Sequence, residues 1–112
     1  MEPVAFVRAL AALAPPTRLA VFRLLVQAGD TGHSVGRVAD DLGVPNTTLS
    51  FHLKELAHAG LVVTRQQGRF VFCFANFEAI DRVVGFLVRN CCAGEPCAVS
   101  TKPRCQPGRT TT

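Results

Sequence analysis

Hydrophobic residues recur along most of the chain at the spacing of helices, and over one stretch they alternate as in strands. An Ala- and Leu-rich segment over residues 4–14 predicts a first helix, which the Pro15-Pro16 pair ends. A second helix is predicted from Pro16 to Gly29, because Pro suits a first helical turn and Gly suits a helix end. The apolar stripe of this second helix is predicted to contain Leu19, Phe22 and Val26.

Two further helices are predicted on either side of a tight turn. Ser34 is placed to cap a helix over residues 35–42, which Gly43 ends, and its apolar stripe is Val35, Val38, Ala39 and Leu42. Asn46 is predicted to cap the next helix, which runs to about His58. Advancing about 100° per residue separates an apolar face of this helix from a polar one. The apolar face holds Leu49, Leu53 and Leu56, and the polar face holds Thr47, Phe51, Lys54 and His58.

Alternating residues then predict a β-hairpin with strands over 61–65 and 69–75 and a turn at 66–68. Phe70, Phe72 and Phe74 fall on one side of the returning strand, opposite Val71 and Cys73, so the hairpin is expected to be at least half buried. A last helix, capped by Asn76, carries the stripe Ile80, Val83, Val84 and Leu87 and ends near residue 90. We expect residues 91–112, which are interrupted by proline and lack periodicity, to form a flexible tail.

Composition narrows the class of protein. The 112 residues carry a formal net charge of +4, which suits nucleic acid as a partner without requiring it. Five cysteines cannot complete a disulfide framework, and neither a signal peptide nor a membrane-length apolar run is apparent. We therefore expect a cytoplasmic protein without a membrane partner. No side chains are spaced as in a catalytic triad or carboxylate pair, so we expect neither an enzyme nor an organic cofactor.

The predicted order of elements, α-α-α-α-β-β-α, is that of a winged helix-turn-helix domain, mostly α with a small β-hairpin. Residues 1–90 would form this domain, with the helix-turn-helix at about 34–58 and the wing at about 61–75. Three motifs resemble those of the ArsR/SmtB family of metal-responsive repressors. They are Leu-Ala-x-Pro-x-Arg-Leu at 13–19, His-Leu-x-x-Leu-x-x-Ala-Gly-Leu-Val at 52–62, and Gly68-Arg69 at the wing tip.

The resemblance implies a homodimer that binds double-stranded operator DNA, with the first and last helices forming the dimer contact. The predicted contact residues are Ala5, Phe6, Leu10 and Leu13 on the first helix, and Val83, Val84, Leu87 and Val88 on the last. A two-fold dimer would place two recognition helices on the half-sites of a near-palindrome.

The polar face of the fourth predicted helix supplies candidate DNA contacts, since short polar side chains near a helix N-terminus reach base edges and phosphates. These candidates are Asn46, Thr47, Thr48 and Ser50. Lys54 would contact phosphate or guanine, Phe51 a thymine methyl, and Gln67 and Arg69 of the wing the backbone or minor groove. The alternative is that this helix face is only solvated and binds no DNA, and that Phe51 is a half-buried packing residue. His52, at the edge of the apolar face, is predicted to be a structural histidine with a hydrogen-bond partner.

Cysteines collect where the last helix is predicted to end. Many arsenic-sensing relatives carry Cys-x-Cys in the helix before the turn, and residues 34–39 contain no cysteine. Cys91, Cys92 and Cys97 instead resemble a subgroup of arsenical sensors with a vicinal Cys-Cys pair and a third Cys shortly after it. As(III) and Sb(III) prefer thiolate ligands, so these three are the predicted inducer ligands. One set of alternatives treats the thiols as a buried helix Cys91, as incidental residues or as a disulfide switch. Others are a repressor that senses another soft metal such as Cd, or Zn with Cys105 as a fourth ligand, a DNA binder without an effector, and a mercury-handling thiol enzyme. Cys73 is predicted to be a core residue.

Overall fold

The computed structural model describes residues 2–89, which form five α-helices and a three-stranded antiparallel sheet. The helices are α1 (Pro3–Leu13), α2 (Pro16–Ala28), α3 (Val35–Leu42), α4 (Asn46–His58) and α5 (Phe77–Leu87). The strands are β1 (His33–Ser34), β2 (Val62–Gln67) and β3 (Phe70–Ala75), in the order β1-β3-β2, and a 3₁₀ turn spans Gly29–Thr31. The predicted winged helix-turn-helix architecture is confirmed. Residues 91–112, the predicted tail, lie outside the described residues.

The hydrogen bonds at the helix ends follow the predicted capping residues in two of three cases. The Ser34 hydroxyl accepts a hydrogen bond from the Arg37 amide at 3.1 Å, and the Asn76 side chain accepts one from the Ala79 amide at 3.3 Å. The prediction that Asn46 caps α4 is wrong. Pro45 occupies the cap position with extended backbone (φ −64°, ψ 149°), and its carbonyl accepts the Leu49 amide at 2.9 Å. Asn46 is therefore the first residue of the helix, and its side chain makes no capping bond.

The core lies between α2, α4 and the sheet. Its fully buried large side chains are Val21, Leu25, Val38, Leu49, Leu56, Leu61 and Cys73. The apolar face predicted for α4 is confirmed, because Leu49, Leu53 and Leu56 are all buried. The stripe predicted for α2 is displaced: Leu19 is 43% exposed, and Val21 and Leu25 are buried beside Phe22. Because α2 contacts α1, α3, α4 and β3, its buried side is set by several neighbours instead of one.

One strand, β1, was not predicted from the sequence. β1 has two residues, and its register with β3 pairs His33 with Cys73 and Ser34 with Phe72. Gly32, just before β1, has φ +63°, and a Cβ atom there would lie 2.5 Å from the Cys73 carbonyl oxygen. Glycine at this position therefore allows the connection between the 3₁₀ turn and β1 to pass close to β3.

The hairpin is half buried as predicted, with the core on the Cys73 side. Cys73 and Ala75 are buried, whereas Phe72 and Phe74 are partly buried and Phe70 is 59% exposed. The turn at the wing tip contains Gly68 with φ +64°, which an L side chain would adopt with strain. The wing therefore leaves one large aromatic side chain facing solvent at its tip.

The residues predicted for a dimer contact on α1 and α5 separate into inward and outward ones. Phe6 and Leu13 pack against the core of their own chain, with the Phe6 and Phe86 ring centroids 4.5 Å apart. Val83 is 3% exposed, while Val84 and Val88 are partly buried. Val83 therefore offers no free apolar surface, whereas Phe6 and Leu13 are partly covered by the core of their own chain.

Other apolar residues on the same two helices remain exposed. Leu10 and Leu87, both predicted, are 40% and 61% exposed, and Ala5 is exposed as well. Val4 and Val7, which were not predicted, are 67% and 62% exposed. Val4, Val7, Leu10 and Leu87 are called the α1/α5 apolar surface below. No single helix within residues 2–89 is long and apolar enough to cross a membrane, and α1 with α2 reaches that length only across a 98° bend.

Candidate nucleic-acid interface

The turn between α3 and α4 fixes the direction of the recognition helix. Gly43 ends α3 in the left-handed conformation (φ 66°, ψ 34°), and the Val44 amide donates to the Ala39 carbonyl at 3.1 Å. Such a C-terminal closure satisfies helix carbonyls and turns the chain sharply. Pro45 then starts α4, and the buried leucines of α4 hold that helix against α2 and α3.

All six candidate DNA contacts on α4 are exposed. They are Asn46, Thr47, Thr48, Ser50, Phe51 and Lys54. Because Pro45 supplies the cap conformation, the Asn46 side chain is not consumed by the helix and remains available for a base edge. No side chain caps the first turn of α4, so its amide groups remain available to a phosphate oxygen.

A cleft of about 480 Å³ separates α4 from the wing. Its lining residues come from α4, the wing, the end of β1 and the start of α3: Ser34, Val35, Gly36, Asn46, Ser50, Leu53, Lys54, Ala57, Thr64, Arg69, Phe70 and Val71. The structure therefore brings four predicted residues together, namely Asn46, Ser50, Lys54 and Arg69. Two of these are cationic and no lining residue is anionic, a charge balance that attracts a nucleic-acid backbone.

The other four candidates lie outside the lining of this cleft. Thr47, Thr48 and Phe51 lie elsewhere on the exposed surface of α4, and Gln67 pairs with Phe70 in the wing. The side-chain Nε2 of the neighbouring Gln66 donates a hydrogen bond to the Gly68 carbonyl at 3.2 Å, which closes the wing turn. Phe51 is 55% exposed, so the alternative that it is half-buried packing describes less than half of its surface.

Two residues at this surface were not predicted as functional. Phe70 is exposed and lines the cleft, and the only sign in the sequence was the alternation that set it apart from Val71. Arg18 of α2 donates a hydrogen bond from Nε to Nδ1 of His52 at 3.1 Å. The predicted hydrogen-bond partner of His52 therefore exists, and it comes from a motif whose sequence gave no indication of this contact.

The thiols fall into two groups. Cys73 is fully buried in β3, and this burial raises the pKa of its thiol from 9.0 to about 11, which keeps it protonated and a poor metal ligand. Cys91, Cys92 and Cys97 lie outside the described residues. Within residues 2–89, no three His, Cys, Asp or Glu side chains are grouped as in a metal site.

Comparisons with known proteins agree with this geometry. Residues 13–65 match a family model described as a helix-turn-helix domain. The uncharacterized HTH-type transcriptional regulator MJ1325 of Methanocaldococcus jannaschii is 32% identical over 73 residues, which cover 65% of this chain and 80% of the relative. The chain belongs to the helix-turn-helix transcriptional regulators.

Solved structures support the same family. An ArsR-like transcriptional regulator from Rhodococcus sp. RHA1 superposes with a TM-score of 0.68 at 26% identity, over 77% of this chain and 78% of the other. HlyU from Vibrio cholerae N16961 gives 0.63 at 32% identity, over 82% and 99%. A homodimeric winged helix-turn-helix DNA-binding domain from Mycobacterium bovis, a possible ArsR-family regulator, gives 0.63 at 26% identity, over 85% and 88%. The predicted resemblance to ArsR-type regulators is confirmed, and the relatives are regulators instead of enzymes. The arsenic-responsive subgroup stays a prediction.

Proposed function

We propose that this ArsR-type regulator is a cytoplasmic, homodimeric repressor that leaves its operator when As(III) or Sb(III) binds Cys91, Cys92 and Cys97. The observation that carries the DNA-binding half is the basic cleft where α4 and the wing bring Asn46, Lys54 and Arg69 together. The cysteine grouping in the sequence carries the choice of inducer.

Operator binding would use the two sides of the cleft differently. Lys54 comes from α4 and Arg69 from the wing, so a phosphate backbone in the cleft would meet a cation from each element. Asn46 and Ser50 are exposed on α4 near its N-terminus, where side chains reach base edges. Phe51 would contact a thymine methyl, because its exposed ring offers an apolar surface on an otherwise polar helix face.

Dimerisation would use the α1/α5 apolar surface. Val4, Val7 and Leu10 follow one another at a spacing of three residues on α1, and α1 contacts α5, which contributes Leu87. An exposed group of large apolar side chains on two adjacent helices favours a partner surface. A second copy of the chain is the partner that operator binding requires, because one winged helix makes few base contacts.

The inducer would act beside this surface. Cys91 follows Arg89 by two residues, and the Arg89 guanidinium lies 4.7 Å from the Phe86 ring centroid on α5. Arsenous acid would react with three thiols to form three As–S bonds and release three waters, with no change in oxidation state. Binding at the end of a dimer helix would change the spacing of the two α4 helices, and each tenfold loss of DNA affinity needs only about 1.4 kcal/mol of coupling.

The test uses a fluorescent duplex that the wild-type protein has selected from a random-sequence pool. Anisotropy is followed during titration with As(III), methyl-As(III), Sb(III), Cd(II) and Zn(II), in a thiol-free reducing buffer. We expect As(III) and Sb(III) to release the wild type and the Cys73→Ala control, whose altered thiol is buried. Cys91→Ser, Cys92→Ser and Cys97→Ser should each raise the As(III) concentration needed by at least about tenfold.

Three results would contradict the proposal. If As(III) still released the Cys91→Ser variant fully from the duplex, Cys91 would not be an inducer ligand. Release by Zn(II) or Cd(II) alone would favour a different soft-metal sensor. Release by peroxide without arsenite would favour a disulfide switch.

A further inference from the structure

A hydrogen bond between side chains links α2 to the recognition helix. Arg18 Nε donates to His52 Nδ1 at 3.1 Å, and the two residues are separated by 34 positions in the chain. Both side chains are partly buried at the α2–α4 contact. Because a hydrogen bond is directional, this contact restrains the rotation of the imidazole ring as well as the distance between the helices.

The same guanidinium also lies near the exposed aromatic side chain of α4. The Arg18 Cζ atom is 5.6 Å from the centroid of the Phe51 ring, within the range of a cation–π contact. The Phe51 and His52 rings are 5.8 Å apart with planes at 60°. Arg18, His52 and Phe51 therefore form one group of mutual contacts, called the Arg18 cluster below, with Phe51 at its solvent-exposed edge.

The surroundings of Arg18 argue against a simple ion-pair role. Arg18 lines a cleft of about 420 Å³ between α1, α2 and α4, together with Arg8, Glu55 and His58. Within residues 2–89, the salt bridges are Arg37–Asp41 and Arg82–Glu78, and neither involves Arg18. Its side-chain hydrogen bond there goes to His52, although Glu55 lines the same cleft. The guanidinium thus contacts two adjacent residues of the recognition helix instead of neutralising a carboxylate.

We propose that Arg18 is a positioning residue for DNA recognition, which holds the Phe51 ring in the orientation that the operator requires. Free rotation of an exposed Phe side chain carries an entropy cost when DNA immobilises it, and the Arg18 cluster reduces that cost before binding. The inference rests on the operator-binding half of the proposed function and is independent of the arsenic response.

Arg18→Met tests the role directly, since Met keeps much of the apolar stem and loses the donor and the charge. The probe is a duplex selected from a random pool by the wild type, and a scrambled duplex measures non-specific binding. We expect Arg18→Met to bind the selected duplex about tenfold more weakly, with binding to the scrambled duplex changed less than about twofold. Its melting temperature and dimer mass should be measured first, so that a folding defect is recognised.

A matched pair at His52 keeps the proposal testable if Arg18→Met folds poorly. An Asn side chain can place its oxygen near the position of Nδ1, whereas a Gln side chain reaches toward that of Nε2. His52→Asn should therefore retain most of the specific affinity and His52→Gln should lose it, although Gln is the better helix former. A purely structural role would rank the two by helix propensity. Equal affinities, or a better Gln variant, would overturn the proposal.

The Phe51→Ala variant and the salt dependence of binding test whether Arg18 acts through Phe51 or contacts a phosphate. Phe51→Ala combined with Arg18→Met should be no weaker than Phe51→Ala alone, because Arg18 acts through Phe51. If Arg18 instead bound a phosphate, Arg18→Met would lower the slope of log affinity against log salt by about 1, and the positioning role would be rejected. If the wild type selects no duplex at all, the proposed operator binding is rejected. If the wild type selects a duplex but binds it no better than Arg18→Met does, only the role of Arg18 is rejected.

Discussion

Cys73 shows how position decides the chemistry of a thiol in this chain. Its folded-state pKa of about 11 exceeds the ordinary 9.0, because burial disfavours the thiolate. The thiol therefore contributes stability that is fully present below pH 9 and is lost as the pH rises toward 11, because only the unfolded chain releases the proton readily. We expect this ionisation to lower the free energy of unfolding by about 2–3 kcal/mol between those pH values, as measured by urea denaturation.

Cys73→Ala is the control for that measurement, since it removes the ionisation and leaves the other four cysteines unchanged. Its stability below pH 9 should be lower than that of the wild type by about 1 kcal/mol, because the sulfur leaves a small cavity. The difference between the two proteins should shrink and reverse as the pH approaches 11. A difference that stays constant with pH would show that the thiol titrates as if exposed.

Gly32 and Gly29 form a natural pair for testing close backbone approach. Both have positive φ, +63° and +66°, so alanine would be strained at either position. A Cβ atom at Gly32 would also meet the Cys73 carbonyl at 2.5 Å, whereas nothing lies within 4 Å of one at Gly29. Gly32→Ala should destabilise the fold by about 3 kcal/mol and Gly29→Ala by about 1 kcal/mol, measured by thermal unfolding. Equal losses would mean that the contact with β3 relaxes freely.

Single residues were predictable where local chemistry decides their role. Ser34 and Asn76 cap helices because a side-chain oxygen three residues before an amide is a local arrangement. Asn46 fits the same pattern, yet Pro45 takes the cap position one residue earlier. Arg18 could not be assigned to His52, because that contact joins residues 34 positions apart and depends on how α2 and α4 pack.

At the level of elements, α4 and the wing act as the two walls of one basic cleft. Lys54→Ala and Arg69→Ala should each weaken binding to selected and scrambled duplexes alike, and lower the salt slope by about 1, if each cation meets one phosphate. Arg82→Ala is the matched control, because Arg82 lies on α5 in an exposed ion pair with Glu78. A salt slope unchanged by both cleft substitutions, or lowered equally by Arg82→Ala, would show that the backbone runs elsewhere.

Helices and strands that are long enough to show a periodic apolar pattern were predictable. Elements that exist only through pairing with a distant segment were not. α3 runs over Val35–Leu42 as predicted, because eight residues carry a clear stripe, and Gly43 ends it. β1 has two residues, too few for an alternating pattern, and exists through its pairing with β3. The eight candidate DNA contacts followed from the position of α4 and the wing. The grouping of Asn46, Ser50, Lys54 and Arg69 around one cleft required the packing of β2 against α4.

At the scale of the whole molecule, the apolar residues of α1 and α5 divide into those that pack within one chain and those that a second copy would cover. Phe6, Leu13 and Val83 were predicted at the dimer contact because they are apolar residues of the first and last helices, but they pack within their own chain. A helical pattern identifies apolar positions without saying whether an internal neighbour or a second copy covers them. Exposure in the folded chain makes that distinction, and it selects Val4, Val7, Leu10 and Leu87.

Val7→Asp should therefore disrupt the dimer without disrupting the fold. Val7 is 62% exposed, so a carboxylate there remains hydrated in the monomer and is desolvated only when a second copy covers it. Sedimentation velocity should show a monomer of about 12.0 kDa at concentrations where the wild type is a dimer, with far-UV circular dichroism unchanged. Val63→Asp, which places the same charge at a 41% exposed valine of the wing, should remain dimeric.

Because a monomer offers one recognition helix, Val7→Asp should also bind the selected duplex at least about tenfold more weakly. If Val7→Asp sediments as a dimer, α1 is not the contact, and the two-fold arrangement of the α4 helices must be built from another surface.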